Sequence, residues 1–295
     1  MELPARLREG YGRGVVEIAV EDQGLDAEDL RKRLLETFRA PNYHPPVLPR
    51  VALELHELSR QVNVDLSRVA KLAESDPFTA AAVLRRAQSS YYSRGGAPVQ
   101  SLQQAITRLG LVTISQLFLE VATTARIFRA PGFEDPMERL RKHASAVAHA
   151  SAIIARHTSL YDEYAFLCGL LHDVGFAASM VALCGTTARA KLPTFEEVRP
   201  ILLEVHTEAG EIMTKLWRFP PDIALVVGNH HARAVGGVVH PLAATLAIAE
   251  ALAEEIAPGF DEGPREMDWA LRELGLEGQI ATIRREVTTV LSQDG

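Results

Sequence analysis

The sequence predicts an all-α fold, and three observations carry that prediction. Apolar residues recur at helical spacing in one stretch after another, alanine and leucine are abundant while aromatics make up only 6%, and turn-dense alternating segments are nearly absent. A 295-residue chain that is 47% hydrophobic can bury a sizeable core, as one large domain or two ordinary ones. The net charge of -7 and pI near 5.8 give no global basic footprint, so neither nucleic acid nor an anionic membrane is expected as a partner. Cys168 and Cys184 lack zinc-finger spacing and read as buried thiols of a reducing compartment. The start Met1-Glu-Leu-Pro-Ala-Arg has charges where a signal peptide would need an apolar stretch, and no uncharged apolar run is long enough to span a bilayer, so a cytoplasmic location is expected.

Taken in order, Val15 to Val20 alternates like a short strand, and Asp26 to Phe38 joins a helix-start aspartate to helical spacing of Leu30, Leu34 and Leu35. Residues 1–40 read as an N-terminal extension, and prolines from Pro41 to Pro49 separate it from a helical subdomain over 41–130. There, helices are expected from near Arg50, with Val51, Leu55 and Leu58 on one face, and after the capping Asp65. Asp76-Pro77 starts a third helix running to Ser90, with proline at the position where a missing N–H costs nothing. Ser101 caps a helix to Leu109-Gly110, and a long apolar helix follows from Thr113 to Phe128. Arg85, Arg86 and Arg94 with Tyr91 and Tyr92 form a local basic and aromatic group, read as a solvated helix end.

A break at Pro131 to Pro136 opens a second helical region, 131–257, and a charged helical tail covers 258–295. Leu140, His143, Val147, Ala150 and Ile154 share one helix face, which turns His143 inward. The next helix should contain His172-Asp173 at the end of the apolar run from Phe166, followed by Gly175, which can stop or bend it. After a looser stretch from Thr186 to Pro200, a helix with Val205, Ala209 and Met213 carries His206 beside its apolar stripe. Pro221 opens a helix leading into His230-His231, and Pro241 opens another, with Leu246 and Ala253 facing the core and Glu250 next to them. Helices around Trp269 to Leu274 and on to Leu291 complete the chain.

A buried carboxylate without a partner costs on the order of several kcal/mol, so Asp173 beside His172 implies an ion pair or a metal ion. Several inward histidines on successive helices favour the metal. Imidazole nitrogen with carboxylate oxygen suits zinc, iron, manganese, cobalt or nickel better than calcium.

The motif Gly169-Leu-Leu-His172-Asp173-Val-Gly175, with His143-Ala-Ser before it and His206-Thr-Glu-Ala-Gly210, Trp217-Arg-Phe-Pro220 and His230-His231 after it, resembles the HD superfamily, in particular its HDOD branch. Leu48-Pro49, Asp76-Pro77 and Leu109-Gly110 are similar to the helical region that precedes the HD-like core in that branch, so the likeness covers about residues 45 to 255. The resemblance implies that His143, His172 and Asp173 hold one metal, with Glu250 where a last aspartate is expected. It implies that His206, His230 and His231 match the second-metal ligands of HD-GYP enzymes, with Asp173 bridging. His149, His157 and His240 match nothing in that pattern and read as structural or exposed.

Phe176 stands where cyclic di-GMP-hydrolysing HD-GYP proteins carry lysine, Ala232 follows the histidine pair where they have glutamate, and there is no GYP motif. HDOD proteins are generally regarded as regulators. The expectation is a cytoplasmic bacterial signal-transduction output that binds a signalling protein or small effector. One or two divalent ions (iron, manganese or zinc) would be bound, or none. The alternative is a binuclear metal-dependent phosphohydrolase acting on a nucleotide or cyclic dinucleotide.

Overall fold

The computed structural model describes residues 27–46, 50–59, 61, 63–75, 77–88, 99–127, 129–160, 162–184, 192–260 and 266–292. Among them are fourteen helices and no strand, only an isolated bridge between Val235 and Val238. The fold is all-α, as the periodicity predicts. The alternating stretch Val15 to Val20 and the group Tyr91, Tyr92 and Arg94 lie outside the described residues.

The chain divides into two compact units, 48–126 with 282–295, and 1–47 with 127–281. The first contains α2 (Arg50–Ser59), α3 (Leu66–Glu74), α4 (Pro77–Ala87), α5 (Leu102–Leu109) and α6 (Leu111–Arg126), with most of the final helix α14 (Ile280–Leu291). Two starts follow from side-chain capping: Asp65 accepts from Ser67 N at 2.9 Å, and Ser101 Oγ accepts from Gln104 N at 3.2 Å. The apolar faces meet in a core of Leu55, Val69, Val83, Ile106, Ile114 and Phe118. Gly110, at φ 82°, lets the chain turn sharply from α5 into α6, a conformation that costs a residue with a side chain more.

The other unit is built on α1 (Ala27–Arg39), α7 (Glu134–Arg156), α8 (Asp162–Leu171), α9 (Val174–Cys184), α10 (Phe195–Leu216), α11 (Pro221–Gly228), α12 (Pro241–Ala253) and α13 (Asp268–Leu274). Helix α7 packs on α8 and α12, while α10 packs on α9, α11 and α1. The stretch Tyr164–Cys184 is long and apolar enough to cross a membrane, but its most apolar part is almost wholly buried in the protein. Cys168 and Cys184 are not joined in a disulfide, and Cys184 donates to the Pro131 carbonyl at 3.2 Å.

Two local expectations are corrected. His172 and Asp173 are not inside a helix: α8 ends at Leu171 and α9 starts at Val174, so the pair forms the turn between them. Adjacent residues on a continuous helix point in different directions, and the break lets both side chains reach one centre. Helix α10 starts at Phe195, inside the stretch read as loose. Thr194 and Glu197 form a reciprocal capping box that starts the helix five residues before Pro200.

Helix α10 ends in a left-handed residue, Arg218 at φ 59°, with Phe219 N reaching back to the Thr214 carbonyl at 3.1 Å. Glycine is the usual occupant of this position, since a β-carbon there costs about 1–2 kcal/mol, partly offset in a glycine variant by greater unfolded-state entropy. Arg218→Gly is therefore expected to raise stability by about 0.5–1 kcal/mol. The check is a urea titration, in which the midpoint should rise at constant slope.

Candidate metal centre

The centre is built from helix ends and inner helix faces. His143 lies on the inner face of α7, His172 and Asp173 in the α8–α9 turn, His206 on α10, His230 and His231 just beyond α11, and Glu250 on α12. All are buried except His231, and none of the other six is more than 6% exposed.

Four of the imidazoles are held in the same way. His172 Nδ1 meets the Gly169 carbonyl at 2.8 Å, His206 Nδ1 that of Leu203 at 2.8 Å, and His230 Nδ1 that of Val227 at 2.8 Å. His143 Nδ1 reaches across to the Ala257 carbonyl at 2.7 Å. A carbonyl only accepts, so each Nδ1 carries the proton and each Nε2 is left to face inward.

The inward atoms converge. His143 Nε2 and His172 Nε2 are 3.3 Å apart, and His206 Nε2 and His231 Nε2 are 2.9 Å apart. Asp173 lies between the two pairs. Its Oδ2 is 3.3 Å from His172 Nε2 and 3.9 Å from His143 Nε2, while its Oδ1 is 3.5 Å from His230 Nε2 and 3.7 Å from His206 Nε2. Glu250 Oε1 lies 3.9 Å from His172 Nε2. The structure thus brings the sequence-selected residues together: six form two donor groups, His143/His172/Asp173 and His206/His230/His231, each with ligand atoms within 4.8 Å of one another, and Glu250 stands beside the first.

The donors fit a divalent ion. With bonds of about 2.0–2.1 Å, two ligands on a tetrahedral metal stand about 3.3 Å apart, which is the His143–His172 and His172–Asp173 spacing. The His230 Nε2 atom is buried and makes no hydrogen bond, an arrangement a cation would resolve.

The electrostatics agree. Burial pushes the His206 imidazole down to about 4, against the opposing pull of Asp173, and burial lowers His143 also, so both are neutral donors near pH 7. Burial opposes protonation of His172 too, but the charge and hydrogen bond of Asp173, helped by Glu250, outweigh it and raise His172 to about 9. Asp173, in spite of burial, is held well below the usual carboxylate range by His172, His230 and His206.

The sequence reading missed what encloses these donors. Phe176 stacks on the His206 ring with centroids 4.3 Å apart and planes at 22°, and Phe260 meets Phe176 edge-on at 5.2 Å. Gly175 does not stop a helix. It sits in the first turn of α9, where a β-carbon would stand 1.9 Å from the His206 carbonyl oxygen, so glycine is required for α9 to lie against α10. The three remaining histidines of this region have other roles. His149 packs edge-on against Phe166 at 5.3 Å, His157 Nδ1 meets Gln279 Oε1 at 3.1 Å, and His240 Nδ1 accepts from Leu242 N at 3.2 Å to cap α12.

A helical core with a histidine on one helix, a His-Asp turn and later histidines on neighbouring helices defines a protein of the HD type. The HDOD domain family matches residues 46–233, more than half of the chain, and the chain belongs to that family. Glu250, Ala257 and Phe260 lie beyond the matched region. The fold is similar to that of a "putative metal-dependent phosphohydrolase" from Shewanella amazonensis SB2B, at 20% identity and TM-score 0.68, covering 90% of this chain and 98% of that one. It is also similar to an HDOD domain protein with unknown function from Geobacter sulfurreducens, at 21% identity and TM-score 0.61, covering 88% and 98%. A third likeness is to a "putative signal transduction protein" from Marinobacter aquaeolei VT8, at 19% identity and TM-score 0.63, covering 90% of this chain and 65% of that one. At these identities the likeness is one of fold. No curated protein matches the chain.

Two outcomes follow. Gly175→Ala should force α9 away from α10 and shift His206, costing about 1–3 kcal/mol as an overpacked contact does; denaturant unfolding together with zinc stoichiometry measures both effects. Because His172 is protonated up to about pH 9, a bound ion must displace its proton. Zinc affinity should therefore rise with pH between 7 and 9, and calorimetry in buffers of different ionisation enthalpy should register the released proton.

Proposed function

We propose that this protein is a signal-transduction regulator of the HDOD type. Its buried histidine and aspartate centre holds one or two divalent ions of the iron, manganese or zinc class, and it acts by binding a signalling protein or small effector and not by turnover. The observation that carries this reading is the apolar cover on one side of the donors: Phe176 lies flat on His206, and Phe260 packs edge-on against Phe176. A phosphoryl substrate needs positive charge at its oxygens, and losing one well-placed electrostatic group typically costs on the order of a hundredfold in rate. Here an apolar ring lies where the related cyclic di-GMP hydrolases present a lysine.

His143, His172, Asp173 and Glu250 would hold one ion and His206, His230 and His231 the other. When bound, an ion at this centre would cross-link the elements that donate to it and could acidify a water molecule. The chain's own groups orient the imidazoles, keep His143 and His206 neutral, and exclude bulk water from the His143, His172 and Asp173 side. The second reading, a binuclear phosphohydrolase for a nucleotide or cyclic dinucleotide, is favoured by one observation. The Asp173 oxygens face opposite ways, Oδ2 toward His172 and Oδ1 toward His230, as a bridge between two ions would.

Protein purified without chelator and assayed with manganese, iron or zinc against cyclic di-GMP and a nucleotide panel distinguishes the two readings. Bound metal without turnover, in the native chain and in Phe176→Lys, is the expected result. Brisk native hydrolysis that disappears in His172→Ala/Asp173→Ala would make the enzyme reading the better one.

A further inference from the structure

We propose that the two donor groups hold their ions unequally. The ion among His143, His172, Asp173 and Glu250 is trapped, whereas the ion among His206, His230 and His231 is exchangeable, of the zinc, cobalt or nickel class, and enters and leaves past His231. This rests on the metal-binding part of the function proposed above and gives that centre a regulatory input, the supply of free metal.

The inner group is closed by the segment that follows α12. The His143 ring is 0% exposed and bonded to the Ala257 carbonyl, and Gly259 lies so close that a β-carbon there would stand 3.0 Å from His143 Nε2. That segment is tied down along its length. Arg139 Nε donates to the Pro258 carbonyl at 3.2 Å and Arg139 Nη2 donates to that of Gly259. Gly259 N donates to Glu254 Oε2 at 3.0 Å, Arg199 Nη2 donates to the Phe260 carbonyl at 2.7 Å, and the Phe260 ring packs on Phe176. An ion leaving this group has to wait for the segment to lift.

Among the described residues, the outer group has no such cover on the His231 side. His206 and His230 are buried, but His231 is exposed, and its Nε2 lies 2.9 Å from His206 Nε2. Rotation of this one surface side chain removes a ligand and opens the position without unfolding any helix. The buried His230 Nε2, which makes no hydrogen bond, points to a cation at this position as well. Donor chemistry separates the groups further. Three imidazoles, with one shared carboxylate oxygen of Asp173 nearby, favour borderline ions such as zinc, cobalt or nickel, whereas two imidazoles with two carboxylates also suit manganese or iron.

The experiment is a chelator chase on the full chain loaded with zinc alone, with released metal read by a colorimetric chelator. Two equivalents per chain should leave in two phases about tenfold or more apart in rate, since local openings differ widely in free energy across one fold. His231→Ala should bind one equivalent and release it at the unchanged slow rate. Arg139→Ala should speed the slow phase by about tenfold, the lower end of what outer contacts contribute to metal retention, and leave the fast phase alone. Release of two equivalents in a single phase, binding of only one by the native chain, or a fast phase that survives in His231→Ala would overturn the inference and leave the metal-binding reading standing. A chain that binds no zinc at any ratio would overturn both.

Discussion

The centre depends on one constraint: a neutral imidazole has a single proton to place on two nitrogens. Four buried histidines commit that proton to a backbone carbonyl through Nδ1, three of them to the residue three positions earlier in their own chain segment. Wherever the ring is neutral, as at His143 and His206, Nε2 thereby becomes an acceptor, and the carboxylate they surround is an acceptor too. Such a group of lone pairs cannot satisfy itself. A proton shared between His172 and Asp173 relieves part of the repulsion, as the raised imidazole and lowered carboxyl show. The rest of the donor set is arranged as a cation would require.

Much of this was legible in the sequence because it follows from helical periodicity. His143 and His206 fall on apolar stripes, and the helices that carry them need little else for their identification. The His172-Asp173 pair was placed one element wrongly, within a helix, because an apolar run continuing on both sides hides a two-residue turn. Gly175 read as punctuation when its role is contact: the backbone of α10 comes too near for any side chain. Pro200 marks a boundary in the sequence that hides the helix start at Thr194 and Glu197 before it.

What the sequence could not disclose is chiefly backbone. The carbonyl of Ala257 orients His143, yet any residue would supply that carbonyl, so no side-chain pattern points to it. The Arg139 and Arg199 contacts with residues 258–260 span the chain between helices far apart in sequence. Phe176 was read by what it replaces. Its stacking on His206 becomes apparent only once the α8–α9 turn and α10 are placed together.

Helix α10 touches more than the elements that build the metal centre. Helix α1, which precedes the matched family region, packs against it, Arg39 pairs with Glu208, and the segment after α1 is tied down through Tyr43 to Met213 and Pro46 to Trp217. His206 cannot swing independently of this helix, because its ring is bonded to a carbonyl of the same helix. A displacement of α10 from the α1 side would therefore carry this imidazole with it. In mechanical terms α10 is a stiff rod gripped at one side by the N-terminal segment, and His206 is its pointer.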